Sequence, residues 1–591
     1  MQISFMKRFF QIFFISIILF SCARVGSPIG GEKDTIAPTF LGANIDSPRT
    51  NVPRDIKELR LEFDEYVMLK DFQKNVNISP PIKKIKKVIP SNLATKFISI
   101  QWEDTLQANT TYNFNFGNAI QDNNEANPLS YFNFAFSTGE KIDDTYISGE
   151  IKDALIIKTS SEKKNKVVGL YKEADSIDYR QKPYYITKVD DDGYYELNYL
   201  SPGTYRIIAF EDENGNSVYD PGTEKIGFQK DSVVLDKSIS GLNMNVFPVK
   251  KNVKYKEIKE NPGGVLLLFE GNPEKVEVKS EFEKLKDYRV THKKRSDSVF
   301  VWFNAKEQNI GTDGTEILKF SYDADGKRNN ASLPYKYNEK NEMTLSNESG
   351  NILPPRKDFA LVSNYLVERI QPEKWSLNID SLTTEPFTAR IDEANPFRIL
   401  VSANFKEKQK YQLTVPKSTV YSYYESNAQS IRFDFEADEI QNYGSFTLRL
   451  ANKPTSKFWV QLLNADEKVM YSKYTSDAET KFPIVKPESY AIRILVDNNK
   501  NGFWDAADFS TNTFAEEAYI YHKIMNIRPL WDSVEDWDLS DKTTIGLKPG
   551  TTFAPAPKPK AQEKEENTNP NTINRNNPST NGNLRNLELR R

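Results

Sequence analysis

An all-β chain of tandem β-sandwich modules is what this sequence predicts, and three observations predict it. Short segments alternate apolar and polar residues with the strand period of two: LRLEFDEYV (59–67), YNFNFG (112–117), YRIIAF (205–210), YQLTV (411–415), IRFDFEA (431–437) and YAIRIL (490–495). Tyr, Phe, Val and Ile dominate them, as a pleated, half-buried surface requires. Clusters of Asn, Asp, Gly and Pro separate the segments at short intervals, and no long helical stretch intervenes. That combination favours antiparallel sandwiches over a parallel sheet. The body from 38 to about 550 has room for about five modules at roughly 100 residues each.

The chain opens with Lys7 and Arg8, followed by the apolar run FFQIFFISIILF (9–20). As a helix this run rises only about 18 Å, short of the roughly 30 Å of a hydrocarbon core. It reads as the core of a signal peptide over 1–21. LFSC (19–22) follows, and Cys22 is the single cysteine of the chain. No disulfide can form within it, so each module must be stabilised by burial. The four residues resemble the lipobox of bacterial lipoproteins. That resemblance implies cleavage before Cys22, lipid on its sulfur, and a membrane held through the lipidated cysteine. By the family's sorting rule Ala23 and Arg24, in place of aspartate, imply the outer membrane; the periplasmic or surface face stays open. A Gly/Pro/Ser-rich tether (22–37) leads into the body.

With 79 basic and 82 acidic side chains the net charge is −3, which argues against nucleic acid, since phosphate binding needs a clustered basic surface. The lysine-rich IKKIKKV (82–88) reads as a solvated hairpin strand. The segment 551–591 is rich in Pro, Asn, Lys and Glu with almost no aromatics, a composition that predicts a disordered tail.

The body repeats itself. Aligning Tyr205 with Tyr490 gives an offset of 285, which also pairs Asp212 with Asp497, Asn214 with Asn499, Asn216 with Asn501 and Asp220 with Asp505. Upstream, Tyr112 and Phe134 are 22 residues apart, as are Tyr411 and Phe433. The order is therefore two modules, a middle segment, then the same two again. Phe63, Asp64, Tyr112, Asp122, Phe134, Phe136, Ser137 and Thr138 resemble the bacterial Ig-like domain of S-layer-type proteins, over 38–140. A divergent copy at 354–439 has Ser363 and Asn364 for Phe63 and Asp64, and Tyr421 near the turn aspartate. DDDGYYELNYLSPGTYR (190–206) is similar to the prealbumin-like fold of carboxypeptidase-regulatory and adhesin B-type domains. That resemblance implies prealbumin-like sandwiches at 145–248 and 441–550. The middle segment, 251–350, reads as β and stays unassigned.

VDNNKNGFWDAAD (496–508) carries the clearest chemistry. A calcium loop places oxygen ligands at positions 1, 3, 5, 7, 9 and 12, with glycine at 6 for the sharp turn. Asp497, Asn499, Asn501, the Phe503 carbonyl, Asp505 and Asp508 fill those slots around Gly502. The alternative is a polar hairpin loop that satisfies its own backbone. Asp212, Asn214, Asn216 and Asp220 form a weaker copy, with Ser217 in the glycine slot and Glu224 one residue late. Any ion held here is structural. Trp504, Trp531 and Trp537 are candidates for stacking on a sugar or anchoring a partner, against the alternative that they serve the core.

Only His292 and His522 are available as histidines, with no zinc spacing, nucleophile elbow or phosphate loop. The reading is non-catalytic: a lipoprotein spacer and protein-interaction platform, an accessory to an envelope assembly. A glycan- or cell-wall-binding surface protein is the alternative. A cryptic hydrolase would require a deep cleft with paired carboxylates.

Overall fold

The computed structural model describes residues 34–155, 157, 165–174, 176–380, 383–547 and 551–554. The lipobox with Cys22, and 555–591 of the expected tail, lie outside the described residues. Strands make up the described fold; among the described residues the helical elements are the single turn Phe72–Asn75 and four short 3-10 turns.

In the first module the sheet Phe40–Ala43, Glu58–Leu69, Thr95–Trp102 and Ile85–Ile89 faces a second sheet of Asn77–Ser79, Thr111–Gly117 and Phe132–Ser137. Strand alternation explains the core directly. Leu59, Leu61 and Phe63 are buried while Glu62 and Asp64 stay exposed. Ile85–Ile89, from the lysine-rich stretch, is an edge strand with Lys86 and Lys87 in solvent. The Tyr112 hydroxyl accepts the Gln107 N–H at 2.9 Å, and its ring stacks on Phe136 at 5.7 Å.

The fourth module repeats this plan. Leu345–Asn347, Phe359–Ser363, Asn395–Ala403 and Phe387–Asp392 lie in the same order, facing Ser376–Asn378, Lys410–Val415 and Ile431–Ala437. Tyr411 accepts the Lys406 N–H at 2.7 Å and stacks on Phe435 at 5.6 Å, the bond and the stack of Tyr112 again.

Asp122 shows how one side chain closes a turn. Its carboxylate accepts main-chain N–H groups from Asn124, Glu125, Ala126 and Asn127 at 2.7–3.1 Å. Burial raises this carboxyl, but the four donors outweigh it and hold it below its ordinary value of 3.8. A depressed carboxyl contributes stability that is present above its ordinary value and lost as pH falls below 3.8. Asp122→Ala removes the shared acceptor of four main-chain N–H groups, on two exposed and two half-buried residues, and is expected to cost about 1–2 kcal/mol. Acid and urea unfolding of the intact protein check both; an Asp122→Ala variant with unchanged midpoints would rule the account out.

The second and fifth modules share another plan. In the second, Tyr194–Leu200, Thr145–Asp153 and Met244–Val246 form one sheet, with Met244–Val246 parallel to its neighbour. In the fifth, Glu479–Val485, Gly444–Ala451 and Asp532–Asp538 do the same, again with the last strand parallel. The opposing sheets are Tyr185–Lys188, Lys166–Lys172, Gly203–Glu211 and Ile226–Phe228, and Val469–Thr475, Lys457–Leu463, Ser489–Asp497 and Ala518–Asn526. Tyr205 and Tyr490, matched by the repeat, each donate a hydroxyl four residues back, to the Ser201 carbonyl at 2.8 Å and the Lys486 carbonyl at 2.9 Å.

The middle segment is a sandwich of Lys254–Asn261, Gly264–Glu270, Ser298–Trp302 and Arg289–His292 on Val276–Ser280, Glu316–Ala324 and Lys327–Tyr335. Its Trp302, however, is buried in the core of the fourth module, beside Tyr365 and Phe397.

Candidate functional site: the junction of the repeated loops

The two Asn/Asp loops follow the strands Gly203–Glu211 and Ser489–Asp497, and they are wired alike. Asp212 accepts the N–H groups of Gly215, Asn216 and Ser217; Asp497 accepts those of Asn501 and Gly502 and the Tyr474 hydroxyl. Asn214 donates to Asp220 at 2.5 Å, as Asn499 does to Asp505. The glycine slot has positive φ in both, +81° at Gly502 and +60° at Ser217, so only the later loop has the residue that adopts this conformation without strain.

A second carboxylate closes each loop, and the sequence spacing hid the later one. Glu224 accepts from the Glu213 and Asp220 N–H groups; Glu516 accepts from Asn498, Asn499 and Asp505. Their offset is 292 (516 minus 224), against 285 for the rest of the loop, so seven residues are inserted before Glu516. Burial pushes the Glu224 carboxyl up to about 7. Asp508, expected as the twelfth-position ligand, instead caps the turn Phe509–Thr511, accepting the Ser510 N–H at 3.1 Å and its hydroxyl at 2.6 Å. Asp505 takes an ion pair from outside the module, Arg295 Nη1 at 2.8 Å, and Arg295 also lies over the Phe503 ring at 4.5 Å. Burial raises the Asp505 carboxyl, yet the bonds from Asn499, Asn501 and Arg295 outweigh it and lower it overall. Among the described residues no group of three or more His, Cys, Asp or Glu comes together as a metal cage.

The insertion has its own role. Phe509 sits in a box of second-module aromatics, 4.7 Å from Tyr179, 5.6 Å from Tyr219 and 5.1 Å from Phe228. Phe514 stacks on Phe228 at 4.8 Å, and Val249 bridges to Ala507. From the other side Ile157, 2% exposed, packs on Leu463, Ala491 and Ile520 of the fifth module. The modules, expected to follow one another like beads, are thus clasped: the fifth folds back onto the second. Phe553, the third residue of the expected tail, also packs against that apolar group.

The first module, with its phenylalanine–acidic strand, Tyr112 and Phe134–Thr138, decides the comparison with known proteins. Residues 34–138 match the bacterial Ig-like domain. No curated protein matches the chain. Solved structures similar to it include surface layer protein SbsC, domains 4–9, at 11% identity, covering 72% of this chain and 64% of that one with a TM-score of 0.18. A second is SGBP-B of the Bacteroides ovatus mixed-linkage glucan utilization locus, in complex with a mixed-linkage heptasaccharide, at 10% identity, 64% and 93% coverage and a TM-score of 0.17. A third is BcpA, the major pilin subunit of Bacillus cereus, at 10% identity, 67% and 99% coverage and a TM-score of 0.13. The chain spans 64% of the length of the SbsC segments it matches.

The Ig-like domain braces the module that carries the Tyr179, Tyr219 and Phe228 side of the box. Ser79 accepts the Ile186 N–H at 3.2 Å, and Asn75 accepts from Lys188 at 2.9 Å. The candidate tryptophans divide. Trp537 is 2% exposed in the fifth-module core and donates to Thr544 at 3.1 Å, so it offers no face for stacking; its place on the inward side of Asp532–Asp538 explains this. Trp504 donates to the Glu516 carbonyl at 3.0 Å and stacks on Phe247. Trp531 is 60% exposed, with Arg528 over its ring at 5.0 Å. His292 contacts the Ser296 carbonyl at 3.2 Å and His522 packs edgewise on Tyr521.

Proposed function

We propose that this chain is a non-catalytic lipoprotein, held in the outer membrane through a lipidated Cys22, whose clasped sandwiches act as a platform for another envelope protein. The observation that carries this reading is the Phe509 box. It restrains the second and fifth modules against each other, so exposed groups on them meet a partner in one arrangement and less ordering free energy is lost on binding. One surface suited to a partner is the edge strand Asp532–Asp538 and the turn before it, where Leu530, Trp531 and Val534 stay in solvent. Pull-down of the tagged, lipidated protein from detergent-solubilised membranes is expected to recover one stoichiometric outer-membrane protein; a protein recovered alone would overturn the reading. Cys22→Ala is expected to move the chain from the membrane to the soluble fraction, since acyl chains contribute about 0.8 kcal/mol per buried methylene.

Calcium in the later loop is part of the proposal as a brace. Asp497, Asn499, Asn501, Asp505 and the Phe503 carbonyl would hold it, with Glu516 in place of Asp508 and Arg295 displaced. Millimolar calcium is then expected to raise the melting temperature, and Asp497→Ala with Asp505→Ala to remove the rise. No shift in the unaltered protein would end the idea.

A further inference from the structure

Equivalent parts of both loops, with the middle sandwich, enclose one cleft of about 1000 Å³. Glu213 and Pro221 come from the earlier loop, and Trp504 and Ala506 from the later one, so the site exists only because the clasp brings the repeats together. One wall is the segment joining the second and third modules, VKKNVKYK (249–256), which contributes Lys250, Lys251, Lys254 and Lys256 and no acid. All four lysines are exposed, and none makes an ion pair among the described residues. Several carboxylates of the cleft are already engaged. Glu274 and Asp505 hold Arg295, and Asp325 accepts the N–H groups of Glu274 and Lys275. Glu270, directly across the sheet from Lys254, and Asp297, which accepts the Ser298 hydroxyl, add acceptors, and Phe503 and Trp504 lie half-buried at the edge.

We infer that this cleft binds an anionic oligosaccharide, an inference that goes beyond the platform reading and stands or falls separately from it. The lysine strip supplies cations for carboxylate groups spaced along an extended chain, Glu270 and Asp297 accept sugar hydroxyls, and the Trp504 ring offers an apolar face to a pyranose. A cleft of this size suits a ligand of several rings rather than an ion. Exposed lysines with no ion pair among the described residues offer their charge to the ligand, and exposed charge makes the binding sensitive to salt.

The test is calorimetric titration of the full chain with a galacturonate oligomer, a neutral glucan oligomer of equal length, and a single-stranded oligonucleotide. The galacturonate oligomer is expected to bind, and more weakly as salt rises. Replacing all four lysines by alanine is expected to weaken it at least about tenfold, as the loss of several exposed charge pairs implies. The melting temperature of that variant should be unchanged, because the four side chains are exposed and make no ion pair among the described residues. Trp504→Ala should weaken binding with the lysines intact. No galacturonate binding, equal binding of the neutral glucan, tighter binding of the oligonucleotide, or full affinity in the lysine variant would each overturn the inference. Pull-down with the same variant separates the two readings. A retained partner with lost saccharide leaves the platform standing, whereas saccharide binding by a protein that recovers no partner overturns the platform alone.

Discussion

Phe509→Ala is expected to release the fifth module from the second and to cost on the order of 3 kcal/mol, the range for removing a large aromatic from a packed site. The ring touches Tyr179, Tyr219 and Phe228 at centroid distances of 4.7–5.6 Å, whereas Phe514 of the same segment stacks on Phe228. Phe509→Asp should be more severe, because the box would close on an unpaired charge and the modules would separate instead. Each sandwich keeps its own core, so the loss should appear as a change in arrangement rather than global unfolding. Small-angle scattering should show a larger radius of gyration, and hydrogen exchange should rise in 507–516 and around Tyr219. Unaltered scattering in both variants would mean that the clasp is not what holds the modules. The cleft described above is built from both loops, so its saccharide binding should fall with the clasp.

Trp302→Ala is the second large effect, expected at about 3–5 kcal/mol. Trp302 ends the strand Ser298–Trp302 of the middle sandwich, is 1% exposed, and stacks on Phe300 at 5.2 Å while packing on Tyr365 and Phe397 of the next module. Its indole N–H donates to Thr291 at 2.8 Å, so truncation also strands that hydroxyl. The approach is close: a Cβ on Gly263 would come within 2.2 Å of the Tyr365 ring. Two modules share one residue, so both should lose stability together. Urea unfolding followed in the third and fourth modules should move to lower midpoints in step; a shift in one alone would show that the tryptophan belongs to a single core.

The loops show how far sequence alone could go. A constant offset matches Asp212 with Asp497 and Asp220 with Asp505, and in the structure the shared part of each pair's bonding is the N–H groups four and five residues on for the first pair and the asparagine six residues back for the second. Glu516 escaped because seven inserted residues broke the spacing, and Asp508 filled the expected slot by number while its side chain caps a turn. For Trp537 the sequence leaves open a stacking face or a place in the core. The parity of the strand turns it inward, and that parity depends on pairing with Gly444–Ala451, which is parallel and distant in sequence.

The all-β class and the faces of the strands are legible in the residue order, because alternation with period two is a local property that any half-buried strand must display. The Ig-like segment was legible for the same reason, its phenylalanines and tyrosine falling on fixed inward positions. The clasp, the sharing of Trp302 and the ion pair of Arg295 with Asp505 emerge only when the folded modules meet. Each joins side chains from different modules, and the free energy of such contacts depends on how finished surfaces fit together. No periodicity within either segment encodes that fit.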